Sequence, residues 1–214
     1  MAQPDLGFVH RFVPATAHDS NVTLLLLHGT GGNEDDLLPL GGELAPGAAL
    51  LSPRGRVLEH GMPRFFRRFS EGVFDIDDLK FQTNELNDFV SAAAKRYGFE
   101  KSLVVGVGYS NGANIAASLM LLHPHLLSGA VLFRAMVPFM PDVPPNLSRA
   151  KLLLASGKRD QIIPRENAGM LQELLASCGA EVEMHWHDGG HELGQDDIAA
   201  ARTWLSSHFA APHP

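Results

Sequence analysis

LVVGVGYSNGANIAASLM, residues 103–120, starts as a short β-branched apolar run and ends as a small-residue helix opening near Asn111. Between the two lies Gly108-Tyr109-Ser110-Asn111-Gly112, which fits the G-x-S-x-G nucleophile elbow. A sharp strand-to-helix turn holds its serine in a strained backbone conformation, and side chains two residues to either side would collide. The turn lifts the hydroxyl clear of a sheet. It also sets the hydroxyl at the amino end of a helix, where free N–H groups and the dipole favour developing negative charge. A dinucleotide loop is the competing reading, since Gly106-x-Gly108 also opens a helix after a strand. That fingerprint requires a third glycine where this chain has Asn111, and an acid ~20 positions on, where it reads His123-Pro124-His125-Leu126-Leu127.

Working outward, strands and helices alternate. Gly7 to Val13 is an expected edge strand, and Val22 to Leu27 is a strand apolar on both faces apart from Thr23. It stops at His28-Gly29-Thr30-Gly31-Gly32, after which Asn33 has the character of an N-cap with Glu34, Asp35 and Asp36 in a first helical turn. Ala48 to Leu51 is a further strand, and Arg54 to Phe74 a long irregular segment of the kind that often lines sites. Leu79, Leu86, Phe89, Val90 and Ala93 recur at helical spacing in a helix from Ile76 to Tyr97, closed by Gly98. Strands follow at Gly129 to Phe133, Lys151 to Ala155 and Glu181 to Trp186, with helices at Arg165 to Ser177 and from beyond His191 to about Phe209. The pattern is a mostly parallel sheet covered by helices on both faces. Strand carboxyl ends then share one edge, where sites gather. The chemically loaded residues His28 to Gly32, Ser110, Asp160 and His191 all follow expected strands.

Composition bounds the rest. At 214 residues one domain spanning 1–214 is expected, with a sizeable core. A net charge of -7 with no long basic run argues against nucleic acid as a partner. One cysteine, Cys178, excludes an internal disulfide and fits packing late in a helix. The start MAQPDLGFVHRFVP lacks the basic and apolar regions of a signal peptide, and no apolar run reaches membrane-span length. A cytoplasmic location is the expectation, with no membrane partner.

A serine hydroxyl needs an adjacent base, and the base a carboxylate to hold its tautomer. Ser110, Asp160 and His191 match the order nucleophile, acid, histidine. His191 stands out among eleven histidines because Gly189 and Gly190 free its loop. Asp142 is the fallback acid, and Asp188 is too near in sequence to orient His191. The bland reading of Asp160 is a turn residue. His185 and His187 alternate on a strand, but without a third ligand no metal is expected. An oxyanion would be met by the N–H of Asn111 and by one from the 28–32 loop, for which Thr30 is favoured. That loop lacks the Gly-Lys-Ser/Thr ending of a phosphate loop.

LLLHGTGGNEDDLLPLG, GYSNGANIA, FRAMVP, SGKRDQIIP and DGGHEL resemble the phospholipase/carboxylesterase family of compact α/β-hydrolases, near the bacterial carboxylesterases and acyl-protein thioesterases. The likeness runs from about Leu24 to Leu205. It implies an α/β-hydrolase fold, the triad Ser110, Asp160 and His191, and oxyanion donors at Thr30 and Asn111. Members of the family often form homodimers, an expectation the resemblance alone supplies. Phe65, Phe66 and Phe69, with Met136, Val137 and Phe139, are candidate substrate-pocket residues, and Arg64, Arg67 and Arg68 are candidates for a substrate carboxylate or phosphate. No stretch reads as a large lid. The expectation is a serine carboxylesterase taking short- to medium-chain esters through an acyl-enzyme, without cofactor or metal. An acyl thioesterase or lysophospholipase is the alternative within enzymes. A non-catalytic small-molecule binder on a hydrolase scaffold is the alternative outside them.

Overall fold

A computed structural model describes residues 6–17 and 22–209; the ends of the expected 1–214 domain lie outside them. The seven-stranded sheet runs in the order β1 (His10–Val13), β3 (Ala49–Pro53), β2 (Thr23–Leu27), β8 (Val104–Tyr109), β9 (Gly129–Phe133), β10 (Lys151–Gly157), β11 (Glu181–His187). All its pairings are parallel except β1 with β3. The chain steps from β2 outward to β3, then returns to β8 and proceeds the other way. The switch point therefore lies between β2 and β8, where the crevice of an open α/β sheet is expected.

Four consecutive leucines in β2 show why the sheet is covered twice. Leu25 and Leu27 join the core that α2 (Ile76–Tyr97), α3 (Asn111–Leu122) and α4 (Arg165–Ser177) complete. Leu24 and Leu26 point the other way, into a second core closed by α1 (Leu38–Leu44) and α5 (Gln195–Phe209). All four are fully buried, worth roughly 1.5–3 kcal/mol each. The α2 helix forms where its periodicity predicts: Asp75 caps it by accepting from Asp78 N–H, and Gly98 ends it at φ 76°.

The first helix corrects an expectation. Asn33 to Asp36 form turns, and α1 begins at Leu38 with Pro39 in its first turn. The acids tie loops together instead: Asp35 pairs with Arg11, and Glu34 with Arg54. The long segment is also more ordered than expected. It forms two small antiparallel hairpins, β4 (Val57–Glu59) with β5 (Met62–Arg64) and β6 (Arg68–Ser70) with β7 (Val73–Phe74). The edge strand begins at His10 rather than Gly7. Among the described residues no helix is long and apolar enough to cross a membrane.

Candidate active site

Ser110 sits between β8 and α3 with φ 53° and ψ −113°, a conformation costing a non-glycine residue ~1–3 kcal/mol. Two neighbouring glycines enforce it. A Cβ on Gly108 would lie 2.6 Å from the backbone of Ala113, and one on Gly112 would run into the carbonyl of Leu27 at the end of β2. The strand end and helix start therefore nest at backbone contact. The turn is held by Ser110 N–H donating to Phe133 O at 2.9 Å and Asn114 N–H to Ser110 O at 3.0 Å.

Asp160 follows β10 and His191 follows β11. His191 Nε2 lies 2.9 Å from Ser110 Oγ, and its Nδ1 lies 2.8 Å from Asp160 Oδ2. A carboxylate is an acceptor, so Nδ1 carries the ring proton and Nε2 is left to accept from the hydroxyl. The Asp160 side chain is 1% exposed. Its other oxygen accepts from the N–H groups of Ile162 at 2.8 Å and Ile163 at 3.0 Å. The turn role and the histidine-partner role thus belong to the same residue. Asp142 is exposed, and Asp188 is turned to Lys158 at 2.6 Å.

The His191 loop is anchored from beneath by a residue that sequence reasoning missed. Arg134, fully buried at φ 56° just after β9, donates to the carbonyls of Gly190 (3.1 Å) and Glu192 (2.6 Å) on either side of His191. It also donates to Ala155 O and pairs through both terminal nitrogens with buried Asp197 at 3.1 and 2.6 Å. The available signal was a lone arginine inside the apolar word LFRAMV. Tyr109 adds a strut, its hydroxyl donating to His191 O at 3.0 Å.

The 28–32 loop leaves β2 beside the elbow. Buried His28 braces it: Nδ1 donates to Gly29 O at 2.7 Å and Nε2 accepts from Gly55 N–H at 2.9 Å. Burial pushes the His28 pKa below its ordinary value. Gly31, at φ 83°, donates to Pro63 O at 2.9 Å. Thr30 Oγ1 accepts from Arg64 Nη1 at 2.6 Å, while the Thr30 N–H has no partner among the described residues. Asn111 opens α3, where helix N–H groups lack intrahelical acceptors. Its side chain accepts from Phe65 N–H at 2.7 Å, tying the elbow to the 54–74 segment.

The cleft around Ser110 encloses about 210 Å³. Of the six candidate pocket residues, only Met136 lines it. Phe65 and Phe66 are corrected to core residues: both are buried, because the segment folds inward over α2. Phe69 is 75% exposed on a hairpin and away from the cleft. Val137 and Phe139 pack against the core, Phe139 beneath the Lys80 ammonium. Phe74, Tyr109, Ile162 and Ile163 line the cleft instead. The two isoleucines come from the Asp160 turn, where sequence position offered the only clue. Asn114 and Asn167 hold the stretch after β9 by accepting from the N–H groups of Met136 and Val137. His185 and His187 both approach Asp196, and His187 also lies near Asp197. Asp197 is already committed to Arg134.

A sheet with this order, an elbow serine at its switch point and a histidine on the last strand's loop together define an α/β-hydrolase. The chain belongs to the phospholipase/carboxylesterase family, whose model matches residues 9–209. It is 48% identical over 185 residues to MhqD of Bacillus subtilis (strain 168), provisionally a hydrolase, covering 86% of this chain and 92% of that one. Its structure resembles the Bacillus cereus carboxylesterase at 45% identity and TM-score 0.91, covering 94% of each chain. The carboxylesterase of Mesorhizobium loti is similar at 35% identity and TM-score 0.88, covering 95% of this chain and 97% of that one.

Proposed function

We propose that this protein is a serine carboxylesterase in which Ser110 is the nucleophile, His191 the general base and Asp160 the residue that orients it. The observation that carries the reading is the continuous relay from Ser110 Oγ to His191 Nε2 at 2.9 Å and from His191 Nδ1 to Asp160 Oδ2 at 2.8 Å. As Ser110 attacks the ester carbonyl, its proton passes to His191 Nε2, and Asp160 stabilises the imidazolium. The oxyanion is met by the N–H groups of Thr30 and Asn111, which flank the β2–β8 crevice without competing acceptors. His191 returns the proton to the leaving alcohol. Water then takes the alcohol's place and gives its proton to His191, which passes it to Ser110 Oγ as the acid leaves.

The cleft volume supports small substrates. About 210 Å³ is below the ~300 Å³ at which drug-sized ligand pockets begin. The cleft opens to solvent, so acyl groups of short to medium length fit it. The single buried cysteine fits a reducing compartment, and we propose a cytoplasmic location.

Turnover of p-nitrophenyl butyrate, with fluorophosphonate labelling, tests the reading. Ser110→Ala should remain folded, lose turnover and take no label. Wild-type protein that neither turns over the ester nor labels, or a Ser110→Ala variant that does either, would overturn it. A panel with matched thioesters and lysophospholipids separates the esterase from its enzymatic alternatives.

A further inference from the structure

One wall of the Ser110 cleft is charged. Arg64, Arg68 and Glu71 line it alongside Thr30 and the catalytic pair. The two guanidiniums share a single carboxylate behind them. Glu59 Oε1 accepts from Arg68 Nε at 3.0 Å, and Glu59 Oε2 lies 3.2 Å from Arg64 Nη1. That second oxygen is buried and makes no well-aligned hydrogen bond, so its hold on Arg64 is mainly Coulombic. The hydrogen bonds Arg64 does make go to neutral acceptors, Phe66 O at 3.2 Å and Thr30 Oγ1 at 2.6 Å. Burial, and next the like charge of Arg68, weigh against the Arg64 cation.

The remaining acid is poorly engaged. Glu71 reaches Arg68 Nη1 only at 3.9 Å, with a side chain 61% exposed. The terminal nitrogens of Arg68 make no hydrogen bond among the described residues. Arg67, between the two, behaves differently: its side chain is 62% exposed, pairs with Asp75 and stays out of the cleft. Of Arg64, Arg67 and Arg68, the fold turns the first and last toward the serine.

We propose that Arg68, backed by Arg64, determines specificity, and that the preferred substrates are small esters bearing a carboxylate, such as hemiesters of short dicarboxylic acids. This rests on the serine-esterase reading of the same cleft. The chain's own carboxylate, Glu71, marks the position on the Arg68 fork that a substrate carboxylate would take over, two-pronged where Glu71 is distant. Glu71 would then swing into solvent. The cleft, at about 210 Å³, suits a short chain between ester and carboxylate. Phe74, Met136, Ile162 and Ile163 offer an apolar lining for the rest of the ester. Arg64 is the less exposed partner and acts also as a positioning residue for Thr30.

Monoethyl glutarate and ethyl valerate differ only by a carboxylate in place of a terminal methyl. Their kcat/KM values, followed by acid release at constant pH and low ionic strength, give a preference ratio that does not depend on the active fraction of a preparation. Wild type should favour the hemiester by about tenfold or more, the scale of one charge-assisted hydrogen bond, and the preference should shrink with added salt. Arg68→Gln should bring the ratio toward one, whereas Arg67→Gln should keep it. If Arg68→Gln fails to fold, Glu71→Gln carries the test, because removing the rival carboxylate should raise the ratio. Equal handling of the two esters by wild type, an unchanged ratio in Arg68→Gln, or no rise in Glu71→Gln would overturn the proposal. Ser110-dependent hydrolysis of the neutral ester without a hemiester preference sinks this inference alone. No Ser110-dependent hydrolysis of either ester sinks the esterase reading with it.

Discussion

Asp197→Asn probes whether the buried pair beneath the histidine loop does what its geometry implies. The substitution keeps shape but removes the carboxylate that, among the described residues, is the sole ion-pair partner of a guanidinium with no exposure. Arg134 retains its bonds to Ala155, Gly190 and Glu192, so the loss falls on the two contacts at 3.1 and 2.6 Å and on the Gly194 N–H that Asp197 Oδ2 accepts at 2.9 Å. Removing one partner of a buried ion pair costs ~3–5 kcal/mol, because the other charge is left uncompensated. That is a large part of a typical stability of ~5–15 kcal/mol. At ~2–4 °C per kcal/mol for a chain of this size, the melting midpoint should fall by about 6–20 °C. Gly190 and Glu192 flank His191, so kcat measured well below that midpoint should also fall, by ~10–100-fold for a displacement on the order of 1 Å. Thermal unfolding followed by circular dichroism, with ester kinetics on the same samples, provides both readings. Asp196→Asn is the control. Its side chain is 51% exposed on His187, and loss of such a surface pair costs ~0–1 kcal/mol. An Asp197→Asn variant that melts within ~2 °C of wild type with unchanged kcat would refute the reasoning.

Gly112→Ala places a methyl against the Leu27 carbonyl and should leave the elbow unable to close; soluble yield and p-nitrophenyl butyrate turnover should both collapse, and near-normal activity would contradict the nesting of α3 on β2. Burial holds the folded pKa of His28 below the ordinary value, so its contribution to stability is complete above ~pH 6.5 and is lost as pH falls from there toward the lowered folded value. Urea unfolding between about pH 7.5 and about pH 5.5 should show this decline, to which His123 adds in the same direction, and His28→Gln should flatten it. Phe66→Ala should cost ~3–5 kcal/mol by emptying a fully buried site, whereas Phe69→Ser at an exposed position should change stability by less than ~0.5 kcal/mol; equal effects in urea titrations would contradict a core Phe66 beside a solvent-facing Phe69.

The candidate site is legible in the sequence because the constraints on it are local and chemical. The elbow needs its glycines at fixed spacing, and the order of serine, acid and histidine follows from which strands precede them. The α2 and α4 helices and β9 were legible to the residue, since each has an uninterrupted pattern with a punctuating turn. The start of α1 was not. Asn33 to Asp36 look like a cap and first turn, but distant arginines at positions 11 and 54 claim two of the acids, and no local rule anticipates that. Strands of two or three residues, as in β4 to β7, are too short to show a period. Phe65 and Phe66 lie in a segment of irregular composition, and only its docking on α2 and on Asn111 makes them core. The anchoring role of Arg134 depends on partners more than fifty positions away, so the sequence displays the residue but not its purpose.

The contact between Gly112 and the Leu27 carbonyl has a further consequence. Ser110 takes its unusual backbone angles with two strands far apart in sequence docked around it, and it meets the His191 imidazole only when the last strand has joined them. Such non-local assembly is slow relative to helix formation. During refolding from denaturant, then, recovered turnover should lag behind recovered helical signal, and a nascent or partly unravelled molecule should be chemically silent.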